Sequence, residues 1–230
     1  SLTPPTRIPL AAQAYHDMVN DGFSFWIGKD NQISETVDFQ EFLQRCLVHV
    51  PADQQKQVLY VAGLLKPGQE VTADEVTALF EKNIRPEVID LKTGNPAKGV
   101  EAKGFDQRRA QKDPATSTAA PDNAAKVFRL PNNALVYHVL KDGKTDMLIL
   151  PIEGYGLWSV LYGYLAVDKD ANTIKGITFY AHAETPGLGG EVDNPKWKAL
   201  WPGRKIYDDK GQPAISVIKG RAGDPRSEEH

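Results

Sequence analysis

The densest unusual segment of the chain is Glu184-Thr185-Pro186-Gly187-Leu188-Gly189-Gly190-Glu191, between the end of an apolar strand pattern and the start of a helical one. Three glycines in four positions, Gly187, Gly189 and Gly190, permit positive φ and let backbone amides approach a ligand closely, the geometry of a cradle for an anion or a flat ring. Leu188 would cap such a ring. The same pattern also serves a tight strand-to-helix connection that holds no ligand. It is not a Walker loop, because no Gly-Lys-Ser/Thr follows, and the Gly-x-Gly-x-x-Gly spacing of dinucleotide sites is missing. A second glycine-aromatic segment is Gly154-Tyr155-Gly156-Leu157-Trp158-Ser159. Its glycines beside Trp158 and Ser159 open a slot for a planar group, the alternative being a core tryptophan. Lys219 follows an apolar run and is placed either to neutralise a phosphate or a reduced ring, or to end a strand in solvent.

Other chemistries find little support. The five histidines are scattered with no His-x-x-x-His pair, so no metal site is expected. No Gly-x-Ser-x-Gly elbow is present. Glu184 and Glu191 flank the glycine turn as a conceivable acid/base pair, but nothing in the sequence fixes their separation. The single cysteine, Cys46, excludes a disulfide framework or a cysteine-built cluster. It falls on an apolar stripe and reads as a buried thiol. With 27 basic against 30 acidic side chains and a net charge of -3, a basic nucleic-acid footprint is excluded. The 41% hydrophobic and 25% charged composition is that of an ordinary globular domain. No stretch reaches the roughly 18 to 20 apolar residues of a membrane span. The chain starts at Ser1 rather than Met, so a preceding anchor or export segment stays open.

The elements that position these segments fall into two groups. Phe39, Phe42, Leu43, Cys46 and Leu47 have helical spacing, ended by Pro51. A helix is predicted over 54–65, and another behind Thr72, where Thr72 and Glu75 form a capping box with Val71 and Val76 as a staple. Pro86 is expected to stop that helix before the short apolar segment Val88-Ile89-Asp90-Leu91. Residues 94–123 read as a long surface connection, ordered only in part. Strands follow at 135–140, 147–152, 158–167 and 173–182, the first two joined by an Asp142-Gly143 hairpin turn. A fifth strand is expected over 213–219 and a short helix over 194–200. Helices followed by hairpin-linked strands predict an α+β fold, an antiparallel sheet packed with helices.

From about Val58 to His230 the sequence resembles the family of FMN-binding domains that includes the C subunit of the bacterial sodium-translocating NADH:quinone reductase and the G subunit of the Rnf complex. The match is carried by both glycine segments and by Val61-Ala62-Gly63, Val88-Ile89-Asp90-Leu91, Phe105-Asp106-Gln107-Arg108 and Gly211-Gln212-Pro213-Ala214. The resemblance implies an FMN-carrying electron-transfer domain of a membrane-bound quinone reductase complex, with other subunits of that complex as partners. It implies a location at the periplasmic face of the bacterial inner membrane, and no small-molecule substrate of its own. The implied cofactor-binding residues are Trp158, Ser159, Glu184, Thr185, Pro186, Gly187, Leu188, Gly189, Gly190 and Lys219, with no catalytic residue. The Glu184–Gly190 turn would hold one face of the ring through its amides and Leu188. An Rnf-type flavin subunit and a non-redox scaffolding module are the rival readings.

The family joins FMN to a threonine in a Ser-Gly-Ala-Thr motif, which is not among the 230 residues. Residues 1–55 do not match the family's N-terminal region, so the FMN-binding domain is expected over 56–230. Phe25-Trp26-Ile27-Gly28-Lys29-Asp30, with Phe39, Phe42 and Leu43, echoes the family's C-terminal tail. A tail displaced to the front would pack residues 1–47 against the sheet around 173–219.

Overall fold

The first helix, α1 (Ala52–Val61), buries Val58, Leu59 and Val61 along one side. It ends earlier than the apolar spacing predicts, because Gly63 turns the chain at φ +73 and Leu64 N–H donates back to the Leu59 carbonyl at 2.9 Å, a glycine C-terminal stop. Leu65 still reaches the core, 4% exposed, which is why the periodicity runs past the helix. The division drawn from sequence between 55 and 56 falls inside α1. The computed structural model describes residues 50–217 and 228–229, so Cys46, Lys219 and the proposed displaced tail over 1–47 lie outside the described residues.

Helix α2 (Ala73–Asn83) starts as the sequence predicts. Glu75 N–H donates to Thr72 Oγ1 at 3.3 Å and Thr72 N–H to Glu75 Oε2 at 2.7 Å, the reciprocal capping box. Pro86 does not end this helix. The chain passes directly from Asn83 into β1 (Ile84–Asp90), with Pro86 inside the strand and opposite Tyr137. A proline is tolerated there because β1 is an outer strand, where a missing N–H breaks no interior ladder.

The segment 94–123 is more structured than its composition predicts. It holds the short helix α3 (Gln107–Lys112), capped by Asp106 Oδ1 accepting from Arg109 N–H at 3.0 Å. It also holds β2 (Ser117–Ala119), paired with β3 (Arg129–Pro131). Tertiary bonds fix α3 in place of an apolar stripe. Gln107 Oε1 accepts from Leu135 N–H at 2.8 Å, and Gln111 Nε2 donates to the Arg129 carbonyl at 2.8 Å.

The main sheet completes with β4 (Asn133–Lys141), β5 (Lys144–Tyr155), β6 (Val160–Asp168) and β7 (Ile174–Ala181). Its five strands are antiparallel in the order β1-β4-β5-β6-β7. Asp142 and Gly143 both take positive φ, 51 and 73 degrees, as a two-residue hairpin with the strands' own twist requires. Among the described residues the fifth strand of this sheet is therefore β1, and 213–217 do not join it. Pro213 bridges only to Tyr207, and β8 (Ser216–Val217) pairs in parallel with β9 (Glu228–Glu229). Both outer strands are partly covered: Ala97 N–H donates to the Val88 carbonyl at 2.8 Å, and Ile174 exchanges bonds with Gly203 and Arg204 at 2.8 and 2.9 Å.

Alternation along β6 and β7 sends side chains to two faces. On one, α1 and α2 cover Tyr137, Ile149, Tyr164 and Ala166, and Phe80, Tyr137, Tyr164 and Tyr180 form a run of ring contacts at centroid distances of 5.9, 5.8 and 5.0 Å. Burial pushes the Tyr137 and Tyr164 hydroxyls well above the ordinary tyrosine value. On the other face Ile174, Ile177 and Trp201 gather Leu165, Phe179 and Trp197, carried by α4 (Pro195–Lys198) and the segment after it.

Gly163 tests the β6–β7 packing. A β-carbon there would lie 2.3 Å from the Thr178 carbonyl oxygen, which is backbone and cannot swing aside. Gly163→Ala is expected to cost about 3 kcal/mol as a lowered urea midpoint at unchanged slope; an unchanged midpoint refutes the close approach.

Candidate functional site

Glu184 joins the two glycine segments. It lies just beyond β7, after His182 and Ala183, and is 7% exposed. Its Oε1 accepts three bonds, from Trp158 N–H at 3.0 Å, Ser159 N–H at 2.8 Å and the Ser159 hydroxyl at 3.1 Å. Ser159 Oγ in turn accepts from Ala183 N–H at 2.8 Å. The β5–β6 connection is thereby tied to the end of β7, and the loop is closed internally by Gly156 N–H donating to the Ser159 carbonyl at 2.7 Å.

The glycines make room for this carboxylate. A β-carbon at Gly156 would lie 2.6 Å from Glu184 Oε1, and one at Gly189 only 2.2 Å from Glu184 Oε2. Within the turn, Leu188 N–H and Gly190 N–H both donate to the Thr185 carbonyl, at 3.1 and 3.0 Å, and Glu191 N–H to the Leu188 carbonyl at 3.1 Å. Gly187 supplies the positive φ of 76 degrees. The group in closest approach is Glu184 of the same turn, and the amides of Leu188, Gly190 and Glu191 serve the turn itself.

Burial acts to raise the pKa of Glu184, but the bonds donated by Trp158, Ser159 and the Leu157 amide outweigh it and hold the carboxyl below its ordinary value. Oε2 is buried with no hydrogen-bond partner among the described residues. Glu184 N–H donates to His182 Nδ1 at 3.3 Å, which puts the ring proton on Nε2, 2.8 Å from Asp193 Oδ2. Lys198 Nζ contacts the other Asp193 oxygen at 3.1 Å. Glu191 does not pair with Glu184 for acid/base work; its Oε2 accepts from Asn194 Nδ2 at 2.8 Å.

Outside the Glu184 latch the surface is apolar. Leu157, Trp158 and Leu188 are 65%, 66% and 64% exposed, and large apolar side chains grouped on adjoining loops are a mark of contact surfaces. Trp158 is thus not a core tryptophan. Thr185 and Pro186 are exposed as well. Of the residues expected at the site, Trp158, Ser159 and the 184–190 turn come together, while Lys219 lies outside the described residues.

A family model described as an FMN-binding domain matches residues 156–224, which include the whole 184–191 turn and residues 156–159 of the other glycine segment. The C subunit of the Na(+)-translocating NADH-quinone reductase of Pseudomonas aeruginosa is 50% identical over 177 residues, covering 76% of this chain and 67% of that one. The same subunit of Vibrio anguillarum is 45% identical, covering 80% and 69%. The chain belongs to the family of Na(+)-translocating NADH-quinone reductase C subunits. The crystal structure of Shewanella oneidensis NqrC superposes with a TM-score of 0.69 at 37% identity, covering 77% of this chain and 81% of that one. The α+β antiparallel architecture is the one this family shares. The space between the turn and the β5–β6 connection is filled by the Glu184 carboxylate, and the large apolar side chains exposed on these two segments are Leu157, Trp158 and Leu188.

Because the folded pKa of Glu184 is depressed, its contribution to the latch is complete above the ordinary glutamate value of 4.5 and is lost as pH falls through the folded value below it. Acid titration of the Trp158 and Ser159 amide NMR signals is expected to show this step, and Glu184→Gln to abolish it; a step that survives in the variant excludes Glu184 as its source. Gly189→Val is expected to expel the carboxylate and shift both amides already at pH 7.

Proposed function

We propose that the chain is the FMN-carrying electron-transfer subunit of a Na(+)-translocating NADH-quinone reductase, working beside the other subunits of that complex. The observation that carries this is the pair of exposed apolar side chains, Trp158 and Leu188, set around a buried glutamate within the 156–224 match to an FMN-binding domain. The names of the relatives favour the reductase over an Rnf-type subunit. We further propose that the FMN-binding domain takes in the whole of α1, and so begins near residue 50 rather than at 56, and that it faces the periplasm. No helix among the described residues is long and apolar enough to cross a membrane.

Bound FMN supplies reversible electron transfer, which no side chain of the chain offers. Trp158 and Leu188 give the ring an apolar seat and strip water from one face. Glu184 fixes the backbone at Trp158 and Ser159, so the indole is held outward before the ligand arrives. Lys219 is proposed to balance negative charge on the phosphate or reduced ring. An open site of this kind leaves a ring edge accessible to a redox partner, and it needs no general base. The 230 residues contain no Ser-Gly-Ala-Thr motif, so flavin bound by them is expected to leave on denaturation.

Titrating the full chain with FMN is expected to quench tryptophan fluorescence saturably. Trp158→Ala and Leu188→Ala are each expected to weaken binding about tenfold, or about 1.4 kcal/mol. Absence of saturable binding, or two variants that bind as the parent does, overturns the assignment.

A further inference from the structure

A groove of about 360 Å³ lies between α3, the loop 123–129 and the ends of β5 and β6. None of residues 184–191 lines it, and its role is independent of the flavin reading. The volume is at the lower end of the roughly 300–1,000 Å³ of small-molecule sites. Its lining carries four cations, Arg108, Lys112, Lys126 and Arg129, against one carboxylate, Glu153, on a chain whose net charge is -3. Glu153 is already engaged, since its Oε1 accepts from the Gln111 amide.

The cations are of two kinds. Arg129 is fixed by Nε donating to Ser117 Oγ at 2.7 Å and Nη2 to the Ser117 carbonyl at 2.8 Å. Arg108 is fixed with its guanidinium 3.7 Å from the centre of the Tyr162 ring, a cation–π stack. Lys112 and Lys126 have no such hydrogen bond or stack at close range among the described residues. Lys175, Lys198 and Lys205 each meet an aspartate, whereas Lys112 and Lys126 make no ion pair among the described residues.

Lys126 also holds a backbone conformation that costs energy, φ 51 in a residue other than glycine. Asn123 enforces it, its amide donating to the Pro121 and Val127 carbonyls at 2.7 and 2.8 Å and its oxygen accepting from Val127 N–H at 3.0 Å. Tyr155 N–H docks the loop onto β5 by donating to the Ala125 carbonyl at 2.8 Å. The outcome is an ammonium 6.0 Å from the Tyr155 ring centre. Tyr155 is 47% and Phe128 82% exposed, so free ring faces and unpaired ammonium groups share one groove.

We infer that this groove binds a small planar anion, an aromatic ring or heterocycle carrying a phosphate, with the ring against Tyr155 or Phe128 and the phosphate between Lys112 and Lys126. Ring faces alone would take a neutral aromatic and cations alone a bare phosphate; the two together select a ligand with both.

The test uses the full chain and adenosine 5′-monophosphate as probe, followed by calorimetry and amide NMR shifts. Saturable binding is expected, with shifts centred on 125–129 and 153–155, and at least tenfold weaker binding of adenosine and of inorganic phosphate. Lys112→Ala with Lys126→Gly, which keeps the positive φ at no strain, is expected to weaken the nucleotide at least tenfold, as is Phe128→Ala with Tyr155→Ala, while circular dichroism stays unchanged. Trp158→Ala is expected to leave nucleotide binding as it was, which separates this groove from the flavin site. No saturable binding, inorganic phosphate as tight as the nucleotide, or unaltered affinity in the lysine variant overturns the inference. An acidic aromatic peptide such as Glu-Tyr-Glu binding more tightly than the nucleotide overturns it in favour of a protein partner.

Discussion

A buried carboxylate with one oxygen fully engaged holds the two functional segments together. Glu184 takes three donors on Oε1 from residues about 25 positions earlier, and a charged acceptor makes each of these bonds stronger than a neutral one. Everything around it is arranged so that the carboxylate fits. Gly156 and Gly189 lack the β-carbons that would strike it, Ser159 links it to Ala183, and His182 and Asp193 anchor its own amide from behind. The exposure of Trp158 follows from this constraint, because a backbone fixed at 158 and 159 cannot turn the indole inward.

The sheet supplies the rigidity that such a latch needs. The β5–β6 connection and the end of β7 meet because β6 and β7 are neighbours in register, and both faces of that pair are packed. On the helix-covered face two side chains of the sheet also reach α1: Tyr164 donates to Gln54 Oε1 at 3.2 Å and Thr178 to Gln57 Oε1 at 2.9 Å. These bonds hold α1 on the strands that carry the site.

What could be read from the sequence was whatever local chemistry decides. The Thr72–Glu75 box and the Asp142-Gly143 turn were legible because a cap or a hairpin turn is fixed by residues a few positions apart. Strand β1 was not, since Pro86 reads as a breaker and only its place at the sheet edge makes it harmless. Helix α3 was not, since Gln107 and Gln111 hold it through partners far along the chain. At the site, the glycines advertised a close approach and Trp158 an aromatic surface. That the approaching group is Glu184 itself was hidden, because no local pattern links a glutamate to amides on another connection.

The coverage of the two outer strands bears on how neighbours in a complex can take hold of this domain. Residues 95–97 lie along the end of β1 and Pro86 interrupts it, while 203–206 occupy the start of β7. Among the described residues this shortens the unpaired backbone that a guest strand could zip onto. Recognition then falls to side chains at the loop tips, where a grip is more easily released, as suits a carrier that must meet more than one companion.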